Sequence, residues 1–168
     1  MPAPHRPAPV ARAPYIRAIT AEDSARLADA FAGLSDRSRY QRFLSPKPRL
    51  SSAELRYLTD IDHRTHEALV AVDPSDGSLV GVARYAGDPA DVAIVIADAW
   101  QGRGIGTRLL RELVARAEAN GISDLSATTL HDNPAARALL RRVGFRTRSI
   151  SGGLVELGLE LTPRAQAA

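Results

Sequence analysis

Apolar and polar residues alternate over residues 15–19, the two-residue period of a strand with one buried face. The period then changes. Thr20 and Asp23 form a capping-box-like helix start, and Ala25, Leu27, Ala28, Phe31 and Leu34 follow as its inward stripe. Ser35 is placed to cap a second short helix holding Arg39, Tyr40, Gln41, Arg42 and Phe43. Pro46 and Pro48 end it, because neither has an N–H to donate to a continuing helix. Ser52 starts a third helical stretch through Leu55, Tyr57 and Leu58. Past residue 60 the pattern becomes that of strands. Residues 68–72 and 79–85 flank the turn-rich loop Asp73-Pro74-Ser75-Asp76-Gly77-Ser78 and read as a hairpin. After a further turn at Asp88-Pro89, residues 92–97 form an unbroken apolar run, which predicts a central strand covered on both faces.

Leu109, Leu110, Leu113, Val114 and Ala117 then recur at helical spacing, with Gly121 as a C-terminal stop. A strand over 122–130, a helix over 134–143 ended by Gly144, and closing strands over 145–150 and 154–161 complete the pattern. This order predicts one α/β (α+β) domain over 15–168, built on a mixed sheet of about seven strands flanked by helices. Residues 1–14 are rich in Pro and Ala and have little to bury, which predicts a disordered N-terminal arm.

Composition narrows the chemistry. With no cysteine, disulfides, thiolate zinc sites and cysteine nucleophiles are excluded together, and no metal is expected. The net charge is +3, of which Arg6 and Arg12 lie in the arm, so the body is nearly neutral. Its arginines alternate with acids, as in Arg111-Glu112 and Arg116-Ala117-Glu118, leaving no basic stripe of the kind that tracks nucleic acid. There is no apolar run of about 18 residues to span a membrane, and the N-terminus has no apolar signal-peptide core. A cytoplasmic protein without nucleic-acid or membrane partners, monomeric or homodimeric, is the expectation.

The most informative segment is Ala97-Asp98-Ala99-Trp100-Gln101-Gly102-Arg103-Gly104-Ile105-Gly106-Thr107, between the apolar strand and the amphipathic helix. A helix N-terminus presents unpaired N–H groups and the positive end of the helix dipole, and glycines let the backbone curl around a phosphate. The segment therefore points to a phosphate or pyrophosphate at 102–107. It lacks the lysine of a Walker loop, and its glycines are spaced by two, unlike the dinucleotide fingerprint. A tight strand-to-helix turn with no ligand is the plain alternative.

Gln101-Gly102-Arg103-Gly104-Ile105-Gly106 resembles the Gln/Arg-x-x-Gly-x-Gly/Ala signature of the GNAT N-acetyltransferase superfamily. Asn133-Pro134-Ala135-Ala136, with Leu139 and Gly144-Phe145, is similar to that family's second motif, in the same order and spacing. Within the superfamily, Ser38-Arg39-Tyr40, Arg42-Phe43 and residues 92–106 look most like the bacterial protein-lysine acetyltransferase (Pat-type) catalytic domain. The resemblance implies a GNAT-like domain with a mostly antiparallel sheet and acetyl-CoA as co-substrate. The backbone of Ile94, Val95 and Ile96 would pair with the pantetheine arm. Gln101, Gly102, Arg103, Gly104, Ile105, Gly106 and Thr107 would hold the pyrophosphate. Asn133 would contact the coenzyme near its sulfur end, or would serve only as a helix cap.

Acetylating an amine requires removing a proton, since a lysine with pKa ~10.4 leaves roughly one amine in a thousand neutral near pH 7. The Pat-type domains open their central strand with a glutamate; here Asp91 stands there, one methylene shorter, and is the expected catalytic base, direct or through water. Asp91 as a solvated turn residue is the plain alternative. Asp98 is a rival that more simply caps its turn, and His131 is a proton shuttle or merely surface. Where many of these enzymes carry a tyrosine on the second-motif helix, this chain has Leu140, as Pat-type enzymes commonly lack that tyrosine too. Tyr40, Arg39, Arg42 and Phe43 would wall the acceptor side or simply pack, and Trp100 is expected to pack the loop against the sheet in preference to stacking on adenine. Three functions compete: acetylation of a protein lysine, acetylation of a small amine such as an aminoglycoside or polyamine, and non-catalytic acetyl-CoA sensing.

Overall fold

The structure is a computed structural model, and it describes residues 12–162. The arm expected over 1–14 falls largely outside that range. Strands β1 (Tyr15–Ala18), β2 (His66–Val72), β3 (Leu79–Ala86), β4 (Ala90–Ile96), β5 (Asp124–Leu130), β6 (Arg146–Ser151) and β7 (Leu154–Glu160) form one sheet in the order β1-β2-β3-β4-β5-β7-β6. Every neighbouring pair is antiparallel except β4 and β5, which run parallel. The helices are α1 (Ser24–Ala32), α2 (Asp36–Phe43), α3 (Ser52–Thr59), α4 (Ile105–Ala119) and α5 (Pro134–Arg142). All seven strands and five helices expected from the pattern are present.

Two apolar layers sandwich the sheet. Leu109, Leu110 and Leu113 of α4 pack on one face with Leu69, Tyr85 and Leu125. On the other face, Leu27 of α1 and Leu58 of α3 meet Val70, Leu79 and Val82. The stripe of α1 is narrower than its sequence suggests: Leu27, Phe31 and Leu34 are buried but Ala25 is exposed. The expected capping segment forms a single 3-10 turn, Ala21–Asp23, before α1 begins. Ala25 then lies two residues before Leu27, about 200° around the helix and so on its far side.

Asp23 holds this corner. Its carboxylate is fully buried and accepts two hydrogen bonds of 2.7 Å from the Arg17 guanidinium and one of 2.9 Å from the Thr20 N–H. The Arg17 hydrogen bonds outweigh the cost of burial and bring its pKa down from 3.8 to about 2. The folded pKa lies below the unfolded one, so the stabilisation is complete above about pH 5 and is lost as the pH falls toward 2. It amounts to about 2 kcal/mol. Asp23→Asn is expected to lower the unfolding free energy by about that amount at pH 7. The same substitution should leave little difference from the parent at pH 2, as urea titrations at both pH values would measure.

Candidate active site

The parallel junction creates the site. β4 and β5 pair only at Ala90 with Leu125 and Asp91 with Ser126. Beyond Asp91 they separate, while β4 stays paired with β3 as far as Ile96 opposite Gly81. The gap is a cleft of about 680 Å³, lined by β4, the strand-to-helix loop, the start of α4, β5 and α5, with Arg42 and Phe43 of α2 at its side. Ala93, Ile94, Val95 and Ile96 are consequently only half-buried. The expectation of a strand covered on both faces is corrected here: the apolar run is central in the sheet, but the departure of β5 opens it to the cleft. Its amides on that side have no strand partner, leaving an internal sheet edge to which an extended chain could add.

At the far end of β4 the backbone turns sharply into α4. Gly102 and Gly104 have φ of 72° and 80°, in the left-handed region that side chains disfavour. Gly104 is the N-cap and supplies no side-chain acceptor, so the first N–H groups of α4, from Ile105 to Thr107, point unclaimed into the cleft mouth. Gly106 is needed for a different reason: a Cβ there would come within 2.9 Å of Leu139 Cδ2, so α4 and α5 approach closely beside the cleft. A fifteen-residue helix adds its dipole to these donors, a geometry that suits a pyrophosphate.

The other residues proposed from sequence sort themselves by position. Gln101 is exposed and lines the cleft, while its amide donates to the Ile96 carbonyl at 3.1 Å and closes the turn. Arg103 lies over the Trp100 ring, 4.7 Å from its centroid, while Trp100 packs on the main core. Asn133 caps α5, accepting from the Ala136 N–H at 3.2 Å, and lines the cleft as well. Its two readings are therefore compatible: the carbonyl oxygen caps and the amide NH₂ is left for a ligand. Leu140 is buried in the core beside the cleft. His131 is exposed and does not line the cleft. Arg39 ties α2 to α1 through the Phe31 and Ala32 carbonyls, and Phe43 packs edge-on to Phe31 with ring centroids 5.7 Å apart.

Asp98, the rival base, is committed elsewhere. Its carboxylate accepts from the Ser35 N–H (3.0 Å), the Ser35 hydroxyl (2.8 Å) and the Ser38 hydroxyl (2.8 Å). Burial opposes its charge, but these bonds prevail and hold its pKa below the ordinary range. Asp98 thus clasps the start of α2 to the end of β4. Asp98→Ala is expected to lower Tm by about 3 °C. Melting curves of the two proteins would show it.

Asp91 sits where the strands part, at the opposite end of β4 from the glycine loop, about 17 Å from Ile96 at ~3.3 Å per residue. It is exposed to the cleft and accepts a 3.2 Å hydrogen bond from the Ser126 hydroxyl. Desolvation by the cleft walls pushes its pKa up, against the Ser126 bond and the charge of Arg42. A carboxylate raised in this way holds a proton more readily than an ordinary aspartate. That is the direction a base needs.

Sequence reasoning missed Arg84. It points from β3 to the same face as Asp91 and is 6% exposed. The signal was present: one charge in the middle of the otherwise apolar strand Leu79–Ala86.

Comparison with known proteins agrees with this geometry. The Acetyltransferase (GNAT) family profile matches residues 35–145. A Pseudomonas aeruginosa protein named as an acetyltransferase is 35% identical over 136 residues, covering 77% of this chain and 73% of its own. Acetyltransferase Pat of Mycolicibacterium smegmatis is 30% identical over 135 residues; the match covers 77% of this chain but 40% of that protein. The crystal structure of the GNAT domain of S. lividans PAT superposes with a TM-score of 0.82 at 31% identity, covering 88% of this chain and 90% of that one. An internal sheet edge, an uncapped glycine-led helix start and a family profile spanning both place the chain: it belongs to the GNAT acetyltransferase family.

Proposed function

We propose that this protein transfers the acetyl group of acetyl-CoA to a primary amine by direct attack on the thioester, with Asp91 as the base. The observation that carries this is a single cleft holding a pyrophosphate-type helix terminus at one end and a desolvated carboxylate at the other, joined by an unpaired strand edge. The N–H groups of Ile105, Gly106 and Thr107 would grip the diphosphate, and the free edge of Ile94, Val95 and Ile96 would hold the pantetheine arm in line. An edge N–H of β4 beside the thioester would stabilise the oxyanion. Asp91 takes a proton from the amine, directly or through water. The amine nitrogen then bonds to the acetyl carbon as the C–S bond breaks, and the departing thiolate takes up a proton, giving amide and thiol.

For the acceptor, a protein lysine is supported by the likeness to Pat. A small amine is the second reading, favoured by the charge of Arg42 beside Asp91 in the cleft. A polycationic amine is disfavoured by that same arginine. The site needs no metal in this scheme. We place the activity in the cytoplasm, in a monomer or homodimer. Incubating the protein with acetyl-CoA and a panel of protein lysines and small amines, with thiol release as readout, tests the proposal. Acetyl-CoA binding without turnover of any amine would instead favour a sensor.

A further inference from the structure

The pleat of the sheet puts Asp91, Ala93 and Val95 on the face beneath α1–α3, together with Val82 and Arg84, which pair with Val95 and Ala93. Arg84 is therefore a diagonal neighbour of Asp91, with Cβ atoms ~7 Å apart. Arg42 reaches in from α2 and lines both the cleft and a second cavity of about 50 Å³ below the helices, whose wall includes Arg84, Phe31, Leu58 and Val82. Two arginines thus line one small, otherwise apolar cavity, and one of them, Arg42, also lines the cleft that holds Asp91.

Neither forms an ion pair with a described residue, although the Asp91 carboxylate acts on Arg42 through its charge. Arg84 donates only to neutral acceptors, the His66 ring nitrogen at 3.1 Å and the Leu58 carbonyl at 3.2 Å. Arg42 makes no hydrogen bond or ion pair with any described residue and lies 4.7 Å from the centroid of the Phe43 ring. Burial, and then the charge of Arg42, lower the pKa of Arg84 to about 9; burial lowers that of Arg42 to about 10, partly offset by Asp91. Arg84, 6% exposed, is thus a buried charge with no charged partner, a costly arrangement that an anion would relieve. Guanidinium is the group that matches a carboxylate with two parallel hydrogen bonds.

We propose that the acceptor is a small amine carrying a carboxylate close to its amino group, as an α-amino acid does, and that Arg42 and Arg84 grip that carboxylate. The inference rests on the transferase reading above and narrows its acceptor class. The cavity has room for the carboxylate, and the rest of the molecule occupies the cleft with its amine toward Asp91. Arg42 lines both the cavity and the cleft that holds Asp91, so a carboxylate held on Arg42 lies near an amine at Asp91. Helices α1–α3 cover Arg84 and keep a folded polypeptide surface from reaching it.

The test compares, on the full chain with acetyl-CoA, free α-amino acids with their neutral α-carboxamides and with a lysine peptide blocked at both ends. Thiol release reports turnover and calorimetry reports acetyl-CoA affinity. A free acid is expected to be used about a hundredfold better than its carboxamide in kcat/KM. Arg42→Gln should abolish most of that preference through KM, with acetyl-CoA affinity within about threefold. Arg84→Gln should do the same, and Arg84→Lys, which keeps the charge, carries the test if the glutamine variant does not fold. Equal use of acid and carboxamide, a preference that survives both substitutions, or acetylation of the blocked peptide alone would each overturn the proposal while leaving the transferase reading standing. Acetyl-CoA binding with no turnover of any acceptor would remove both.

Discussion

Asp91→Asn is expected to lower kcat/KM for the amine by ~10²–10⁴-fold, the usual worth of a positioned base. Acetyl-CoA affinity should stay within about twofold, because the glycine loop lies at the other end of β4. The amide keeps the shape and the Ser126 contact but cannot accept the proton. Two further readouts separate this from a structural role. The folded pKa of Asp91 is raised, so its charge opposes folding at every pH above its unfolded value. The variant should therefore melt no lower than the parent at pH 7. The acid limb of the kcat/KM profile in the parent should also lie above the range of an ordinary aspartate, since the base works only when deprotonated, and this limb should vanish in the variant. Asp91→Glu, which restores the missing methylene, distinguishes the route: a gain in rate argues for direct contact in place of a bridging water. Turnover by Asp91→Asn close to that of the parent would remove Asp91 from the chemistry.

Gly104→Val should weaken acetyl-CoA binding at least tenfold, or more than 1.4 kcal/mol. The cause is backbone conformation, since a Cβ at Gly104 would meet nothing within 4 Å. At φ of 80°, however, a β-branched residue is strained by ~1–3 kcal/mol, and relaxing that strain rotates the first N–H groups of α4 away from a common focus. Gly77 provides a matched control, with φ of 75° and equally open space in the hairpin loop between β2 and β3. Gly77→Val should lose comparable stability and leave the calorimetric Kd unchanged. If both variants bind acetyl-CoA as the parent does, the helix terminus is not the diphosphate site.

The order of elements was legible in the chain because each carries its own local period and stop, such as Gly121 after α4 and Gly144 after α5. Local signals also located the glycine turn and Asn133. What stayed hidden depends on partners far along the chain. The half-exposure of Ala93–Ile96 follows from where β5 leaves β4, which no period within either strand encodes. Asp98 looked like a turn residue because its real partners, Ser35 and Ser38, lie some sixty residues away. Gln101 belonged to a binding motif by spacing, and only the fold adds that its amide also donates to the Ile96 carbonyl. Arg42 stood in the chain as one polar residue on a short helix, and only the pleat that brings Arg84 opposite it makes the pair chemically meaningful.

The two-residue junction of β4 with β5 also bears on how the domain holds together. Strands β1–β4 and strands β5–β7 are nearly separate leaves, stitched at one corner and backed by α4 and α5. A pantetheine arm laid along the open margin would serve as the missing seam between them. Affinity for the acyl donor and cohesion of the domain would then draw on the same hydrogen bonds, so a cell rich in that donor would hold a sturdier enzyme than a starved one.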